Sequence, residues 1–193
     1  MKSIFKTLTL LVAIVLCQNL HAQMDEAAMM KAWEAYATPG DMHKMLASES
    51  GKWTANTTVW MMPNDPKPMK STGTAEIKMS YGGRYQIGTH NGSFMGMPFE
   101  GTSTVGYNNA SKKFESTWTD NMGTGIMFMT GEYNAATKTV NYSGRCVDPM
   151  TGKEKMYRET WTIIDNNTRK MEMFDTDPSG KEFRSMEMII KRN

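Results

Sequence analysis

Apolar and polar residues alternate with a period of two along most of the chain after residue 51. Such alternation predicts β-strands with one buried face, because successive side chains of a strand point to opposite faces. Turn-forming pairs such as Gly82-Gly83 and Asn108-Asn109 separate the runs. Ten strands are predicted, near residues 53–61, 72–81, 84–91, 99–107, 113–120, 124–133, 138–146, 155–164, 169–175 and 182–191. We expect an up-and-down meander that closes into a barrel, since closure removes two exposed sheet edges.

The segment before residue 51 has a helical period instead. Apolar residues recur there at spacings of three and four, in Met29, Met30, Trp33 and Tyr36. This spacing predicts a helix over residues 24–36, and a second short helix is predicted over residues 41–50 with Asp41 as its cap. The expected fold class is mainly β: a ten-stranded antiparallel up-and-down, calycin-like barrel with one or two short N-terminal helices.

The beginning of the chain has the pattern of a signal peptide. Lys2 and Lys6 precede an apolar run over residues 8–17, and Ala22 is a small residue at the expected cleavage position. The run is too short for a stable membrane anchor, although an uncleaved anchor is the alternative interpretation. We therefore expect a signal peptide over residues 1–22, a helical segment over 23–50 and a barrel domain over 51–193. Cleavage would release the protein into the periplasm or the extracellular space without a membrane span.

Charge and cysteine content narrow the function classes. Removing residues 1–22 takes away two lysines and leaves 20 basic and 20 acidic residues, a formal net charge of zero. Nucleic-acid and anionic-membrane surfaces need a basic patch, so we expect neither partner. Cys146 is the one cysteine after residue 22, which excludes an internal disulfide. We interpret it as a small half-buried strand residue rather than a reactive thiol.

Methionine takes the place of leucine in this chain. After residue 22 the sequence has one leucine, Leu46, and twenty methionines. Pairs such as Met127-x-Met129 place two thioethers on one face of a strand, an arrangement that suits Cu(I). The pairs are dispersed and have no neighbouring histidine or cysteine, so we interpret the methionines as core residues and predict no metal site.

No motif in the chain identifies a reaction. His43 and His90 stand apart from any metal-ligand spacing, and the sequence has no nucleophile elbow, phosphate loop or dinucleotide fingerprint. We predict no catalytic residue and no cofactor from these patterns.

A barrel of ten strands is wider than side chains readily fill, which favours a cavity for a small apolar ligand. The residues predicted to line it are Trp118, Asp120, Met127, Phe128, Met129, Arg158 and Trp161. Arg84, Arg145 and Arg158 either point inward and hold a carboxylate or similar head group, or lie outside in water.

Gly51-Lys52-Trp53 stands where the helical period gives way to the first strand. It resembles the Gly-x-Trp signature of lipocalins and related calycin barrels. That resemblance implies that Trp53 is structural and closes one end of the barrel under a basic residue of the last strand. Lys191 or Arg192 is the expected partner.

Seven short motifs, in order, resemble a second family. They are GMPFEG from Gly96, GYN from Gly106, STWTD from Ser116, MGTG from Met122, DPMTGK from Asp148, Tyr157-Arg158 and Glu182-Phe183. Together they resemble the often exported bacterial family called domain of unknown function fifteen-seventy-nine, from near His43 onward. The resemblance implies no activity and no catalytic residue, because the family has none established.

The leading hypothesis is therefore an exported barrel that binds a small hydrophobic or amphipathic molecule in its cavity. An enzyme acting on such a molecule, with Asp120, Arg158 or His90 involved, is the second hypothesis. A structural or envelope-interaction protein with a filled core is the third. A buried carboxylate or histidine in a large cavity would favour the enzyme, and the sequence leaves the oligomeric state open.

Overall fold

The structure, a computed structural model, describes residues 26–193. The predicted signal peptide over residues 1–22 and the start of the first predicted helix lie outside the described residues. Helix α1, Glu26–Ala37, belongs to a unit that ends at Thr38, and its Trp33 and Tyr36 rings lie 5.6 Å apart. Within residues 26–193 no helix is long and apolar enough to cross a membrane.

The second unit begins at Pro39 and contains helix α2, Asp41–Ala47, followed by ten strands. The strands are β1 Gly51–Val59, β2 Met69–Ser80, β3 Tyr85–Phe94, β4 Met97–Asn108, β5 Lys113–Asp120, β6 Met127–Asn134, β7 Thr139–Val147, β8 Glu154–Asp165, β9 Thr168–Thr176 and β10 Glu182–Arg192. All ten predicted strands are confirmed. Their ends differ from the prediction by three residues or fewer.

The strands form a closed antiparallel barrel in which each strand pairs with its neighbours in the chain and β1 also pairs with β10. The predicted up-and-down closed barrel is therefore confirmed. In the register of β1, Trp53 pairs with Ala75 of β2 and with Arg192 of β10, so these three residues lie on the same face of the sheet. Trp53 and Ala75 are buried, so this face points toward the barrel interior. Register shifts occur in β10 between Arg184 and Met186, and in β8 between Ile163 and Asp165.

Helix α2 closes the end of the barrel at which β1 begins. Leu46 packs there in a cluster with Phe114, Met129, Val140 and Tyr142. The predicted cap needs correction, because Asp41 is the first helical residue and Gly40 occupies the N-cap position. The Gly40 N–H donates to His43 Nδ1 at 3.0 Å, while Asp41 bonds Lys44 at 2.8 Å.

Methionine fills much of the interior. Met129 and Met171 are buried, and further methionines pack against the buried clusters while partly exposed: Met42, Met45, Met79, Met127, Met173, Met186 and Met188. Flexible thioethers fill irregular space between the β-branched and aromatic residues of neighbouring strands. Among residues 26–193, no three His, Cys, Asp or Glu side chains group closely enough to hold a metal ion.

Candidate ligand-binding lumen

Trp53 and Arg192 form the closed end of the barrel. Trp53 is 1% exposed, and the Arg192 guanidinium lies 4.2 Å from its ring centre. Arg192 also donates to the carbonyls of Ser48 and Ser50, each at 2.6 Å. Gly51 has a φ of +135°, and a Cβ there would lie 2.9 Å from Arg192 Nη1. The structure thus brings Gly51, Trp53 and Arg192 together, because glycine leaves room for the arginine beside the indole.

Glu49 is a buried residue of this end that the sequence analysis missed. Its carboxylate accepts hydrogen bonds from Arg169 Nε at 2.7 Å, Trp161 Nε1 at 2.9 Å and Gln86 Nε2 at 3.1 Å. Its backbone carbonyl accepts from Trp53 Nε1 at 2.8 Å. Nothing local in the sequence indicates the contacts of the carboxylate, since its three partners come from β3, β8 and β9. Trp161, which the sequence predicts to line a cavity, is half-buried and donates from Nε1 to Glu49 at this end of the barrel.

Burial of inward side chains differs between the two halves of the barrel interior. The inward side chains that are fully buried lie toward α2, as in Phe114, Met129, Val140, Met171 and Ile190, although Tyr107 and Trp161 in that half are half-buried. Toward the other end they are half-buried, as in Thr57, His90, Trp118, Met127, Tyr157, Met173 and Met186. An inward side chain of a closed barrel reaches solvent only through the interior. We call the solvent-accessible part of the barrel interior, which those seven residues surround, the open half of the lumen.

Trp118 lies against the wall of the open half on β5. A Cβ on Gly101 would lie 2.5 Å from the indole, so only glycine allows the ring this position. The indole stacks with Phe99 at 6.2 Å, and its Nε1 donates to Asp120 at 2.6 Å. Met127 pairs with Trp118 from β6. The predicted residues Trp118, Asp120 and Met127 are therefore neighbours on one wall, and buried Met129 lies deeper on the same face of β6.

His90 is an uncharged polar group in the open half. Its Nε2 lies 3.0 Å from Ser103 Oγ, and its ring meets Trp118 edge to face at 4.9 Å. A Cβ on Gly88 would lie 2.5 Å from Ser103 Oγ, so this glycine makes room for the pair. Burial lowers the pKa of His90 to about 4, because the apolar surroundings disfavour the imidazolium. The ring is therefore neutral at pH 7.

Glu159 faces His90 from the opposite wall. β3 and β8 are five strands apart in either direction around the ten-stranded barrel, so they lie on opposite walls. His90 is five residues from the end of β3 nearest α2, and Glu159 is six residues from the corresponding end of β8, so the two residues lie at similar depth. Glu159 pairs with Tyr142 and Met173. These are backbone pairings. Among residues 26–193, no hydrogen bond or ion pair joins the half-buried Glu159 carboxyl to another side chain. Burial raises the pKa of Glu159 to about 7 and also raises that of Tyr142.

A charged cluster lies at the mouth of the open half. Lys155 Nζ lies 2.5 Å from Asp175 and 4.0 Å from Asp148, and its ammonium lies over the Tyr157 ring at 5.6 Å. Cys146 is half-buried beside these residues, and burial raises the pKa of its thiol. The thiol therefore stays protonated at neutral pH.

Two predicted lining residues lie on the outer face, which corrects their inclusion. Phe128 is 48% exposed, because it alternates along β6 with the inward Met127 and Met129. Arg158 lies 3.7 Å over the Phe174 ring and bonds both carboxylate oxygens of Glu182 at 3.0 and 2.7 Å.

The other two arginines considered for an inward head-group site do not point inward either. Arg145 bonds Glu154 at 3.3 Å on the outer face, and Arg84 bonds the Tyr81 carbonyl at 3.1 Å in the β2–β3 turn. The arginines named in the sequence analysis therefore provide no partner for a carboxylate in the open half of the lumen.

Comparison with known proteins identifies a family and a fold. Residues 38–192 match the family model described as protein of unknown function, DUF1579. No curated protein sequence matches the chain. A solved structure that resembles it is titled the crystal structure of Rv2717c from M. tuberculosis. The two share 12% identity and superpose with a TM-score of 0.60, over 81% of this chain and 99% of that one. At this identity the likeness shows the fold alone.

Proposed function

This chain belongs to the DUF1579 family, and we propose that it binds a small amphipathic molecule in the open half of its lumen. The carrying observation is the accessibility of inward side chains in that half, which contrasts with the packed half beside α2. Binding of a ligand that covers enclosed apolar surface is favourable, because it removes that surface from water.

The composition of the walls favours an amphipathic ligand. Trp118, Met127 and Met173 provide apolar surface, and methionine adapts to ligands of varied shape. His90 and Glu159 add hydrogen-bonding groups on opposite walls. A molecule with an apolar body and one polar group would satisfy both kinds of surface.

A pair of adjacent threonines allows a test by filling the lumen. Thr57 pairs with Ser71 and Met188 on the inner face, and Thr58 lies on the outer face of the same strand. We expect Thr57→Phe to weaken decanol binding, measured by isothermal titration calorimetry, by about tenfold or more. Thr58→Phe is the matched control and should bind like the unaltered protein. Equal binding by both variants would contradict a lumenal site.

Native mass spectrometry of protein purified from its own host provides a second test. A retained small molecule would support the proposal and identify the ligand class. Repeated recovery of ligand-free protein, together with no uptake of decanol, would favour the alternative of a structural or envelope-interaction protein with a filled core.

One observation favours ester hydrolysis as a second candidate function. His90 Nε2 and Ser103 Oγ are 3.0 Å apart, a distance at which an imidazole accepts the proton of a hydroxyl nucleophile. The low pKa of His90 keeps the ring in its proton-accepting form at pH 7 but makes it a weak base. Hydrolysis of p-nitrophenyl butyrate that Ser103→Ala abolishes would support this candidate. Equal rates for the protein and the variant would contradict it.

We also propose that the protein is exported, with cleavage between Ala22 and Gln23. The support is the sequence pattern of two lysines, a short apolar run and a small residue before the cleavage position. N-terminal sequencing of protein recovered from its host should begin at Gln23. Recovery of the uncleaved chain from the cytoplasm would contradict the proposal.

A further inference from the structure

We propose that the open half of the lumen selects ligands with a protonated amine, which is held against Glu159. This inference rests on the proposed function, because it names the ligand class of the same site. It replaces the carboxylate head group considered from the sequence, for which Arg84, Arg145 and Arg158 supply no inward partner.

The charges that face the open half and its mouth are mostly negative. The acidic side chains placed there by strand alternation and contacts are Asp120, Asp148, Glu159 and Asp175. Lys155 is the basic side chain that contacts these acids, and its ammonium already lies against two of the carboxylates, Asp148 and Asp175. An anionic ligand would therefore enter against an excess of like charge, whereas a cation would be attracted.

The basic residues of the closed end do not offset this charge. Arg169 is buried and bonds Glu49 at 2.7 Å. Arg192 lies over Trp53 and donates to two backbone carbonyls near α2. Both guanidiniums are thus already occupied, and the buried side chains of the packed half separate them from the open half.

Glu159 differs from the other acids because it has no partner among the described residues. Asp120 accepts from Trp118 Nε1 at 2.6 Å, and Asp175 contacts Lys155 at 2.5 Å. Glu159 is bordered by Tyr142 and Met173, with neutral His90 on the opposite wall. Glu159 is half-buried, and a half-buried carboxylate without a counter-charge is unfavourable. A ligand ammonium would both neutralise it and donate a charge-assisted hydrogen bond.

Three ligands with the same decyl chain distinguish the head groups: decylamine, decanol and decanoate. Titration calorimetry at pH 8 would compare the purified protein with Glu159→Gln and with the control Glu132→Gln. Glu132 is exposed on the outer face of β6, so the control removes one carboxylate without changing the lumen. Near-ultraviolet circular dichroism would verify that both variants are folded.

We expect the unaltered protein to bind decylamine about tenfold or more tightly than decanol, with decanoate the weakest. Glu159→Gln should remove the preference for decylamine over decanol, while Glu132→Gln should keep that preference at about tenfold or more. If none of the three ligands binds, the proposed function itself is wrong. If decanol binds but decylamine is no tighter, or if Glu159→Gln keeps the amine preference, the lumen binds ligands and the inference about Glu159 is overturned.

Discussion

Glu49 and Arg169 form an ion pair inside the barrel, with 2.7 Å between Oε1 and Nε and with 6% and 3% of their side chains exposed. The pair joins the segment after α2 to β9 and holds the closed end in register with the barrel wall. Trp161 and Gln86 bond the same carboxylate, so every polar partner of this network is satisfied inside the protein. Such a network specifies one arrangement of the closed end, because any displaced partner leaves a buried polar group unpaired.

Removing one member of this pair should therefore destabilise the protein strongly. We expect Glu49→Gln to lower the free energy of unfolding by about 3–5 kcal/mol, because it leaves the Arg169 charge buried without a counter-ion. Urea unfolding followed by circular dichroism measures the change. The control Glu132→Gln removes an exposed ion pair with Lys113 and should cost less than about 1 kcal/mol. Similar losses in the two variants would show that Glu49 is not a stabilising centre.

Truncation of Trp53 tests the closed end independently. We expect Trp53→Ala to lower the free energy of unfolding by about 3–5 kcal/mol, since it leaves a cavity beneath Arg192. Trp33→Ala is the matched control, because Trp33 is 64% exposed on α1 and its loss should cost less than about 0.5 kcal/mol. Unchanged thermal stability of Trp53→Ala would contradict the structural role of this residue.

Gly101 should tolerate a methyl group poorly. A Cβ at this position would lie 2.5 Å from the Trp118 indole, so Gly101→Ala has to displace the ring or the strand. We expect a loss of about 1–3 kcal/mol in the free energy of unfolding, together with a changed near-ultraviolet circular dichroism signal. Gly123→Ala is the control, because a Cβ there meets no atom within 4 Å. A variant as stable as that control would place Trp118 elsewhere.

His90 and Glu159 should oppose each other in the dependence of stability on pH. Because the pKa of Glu159 is raised to about 7 in the folded protein, this group contributes to the free energy of unfolding as a protonated acid. The contribution is fully present below about pH 4.5 and is lost as the pH rises through 7. The lowered pKa of His90, about 4, gives a contribution that is present above about pH 6.5 and is lost as the pH falls through 4. The two effects have opposite signs in the same window and largely cancel.

Single substitutions should expose each effect. Relative to the unaltered protein, Glu159→Gln should gain about 3 kcal/mol in the free energy of unfolding between pH 4.5 and 7.5. His90→Gln should gain a similar amount as the pH falls from 6.5 to 4. Urea unfolding at a series of pH values measures both differences, and Glu132→Gln should show neither. Parallel stability profiles for all variants would contradict the assignment of these two pKa shifts.

The strands could be predicted from the sequence because their signals are local. Alternation and turn residues place β5 at residues 113–120 in both the prediction and the structure. The same local reasoning failed at the first turn of α2, where His43 accepts the Gly40 N–H and Asp41 does not act as the cap. His43 accepts the N-cap N–H from the third helical position, a role that Glu or Gln usually fills, whereas the sequence pattern favoured an aspartate at the N-cap itself.

The sequence predicted only in part which face of each strand points inward. Phe128 was grouped with its neighbours Met127 and Met129, although alternation allows only one of the two sets to face the lumen. Both sets are apolar, so composition could not choose between them. For Arg158 the sequence allowed either an inward head-group contact or an outward position in water, and its contacts with Phe174 and Glu182 on the outer face decide its side.

The sequence by itself therefore determined the ten strands, their order around the barrel and the expectation of an interior, because periodicity and turn chemistry act between near neighbours in the chain. Only the tertiary structure decided what the interior contains. Glu49 meets partners 37 and 120 residues away, and His90 and Glu159 face each other only because closure sets their strands on opposite walls. Such meetings depend on register and closure, which place residues side by side irrespective of their distance in the chain.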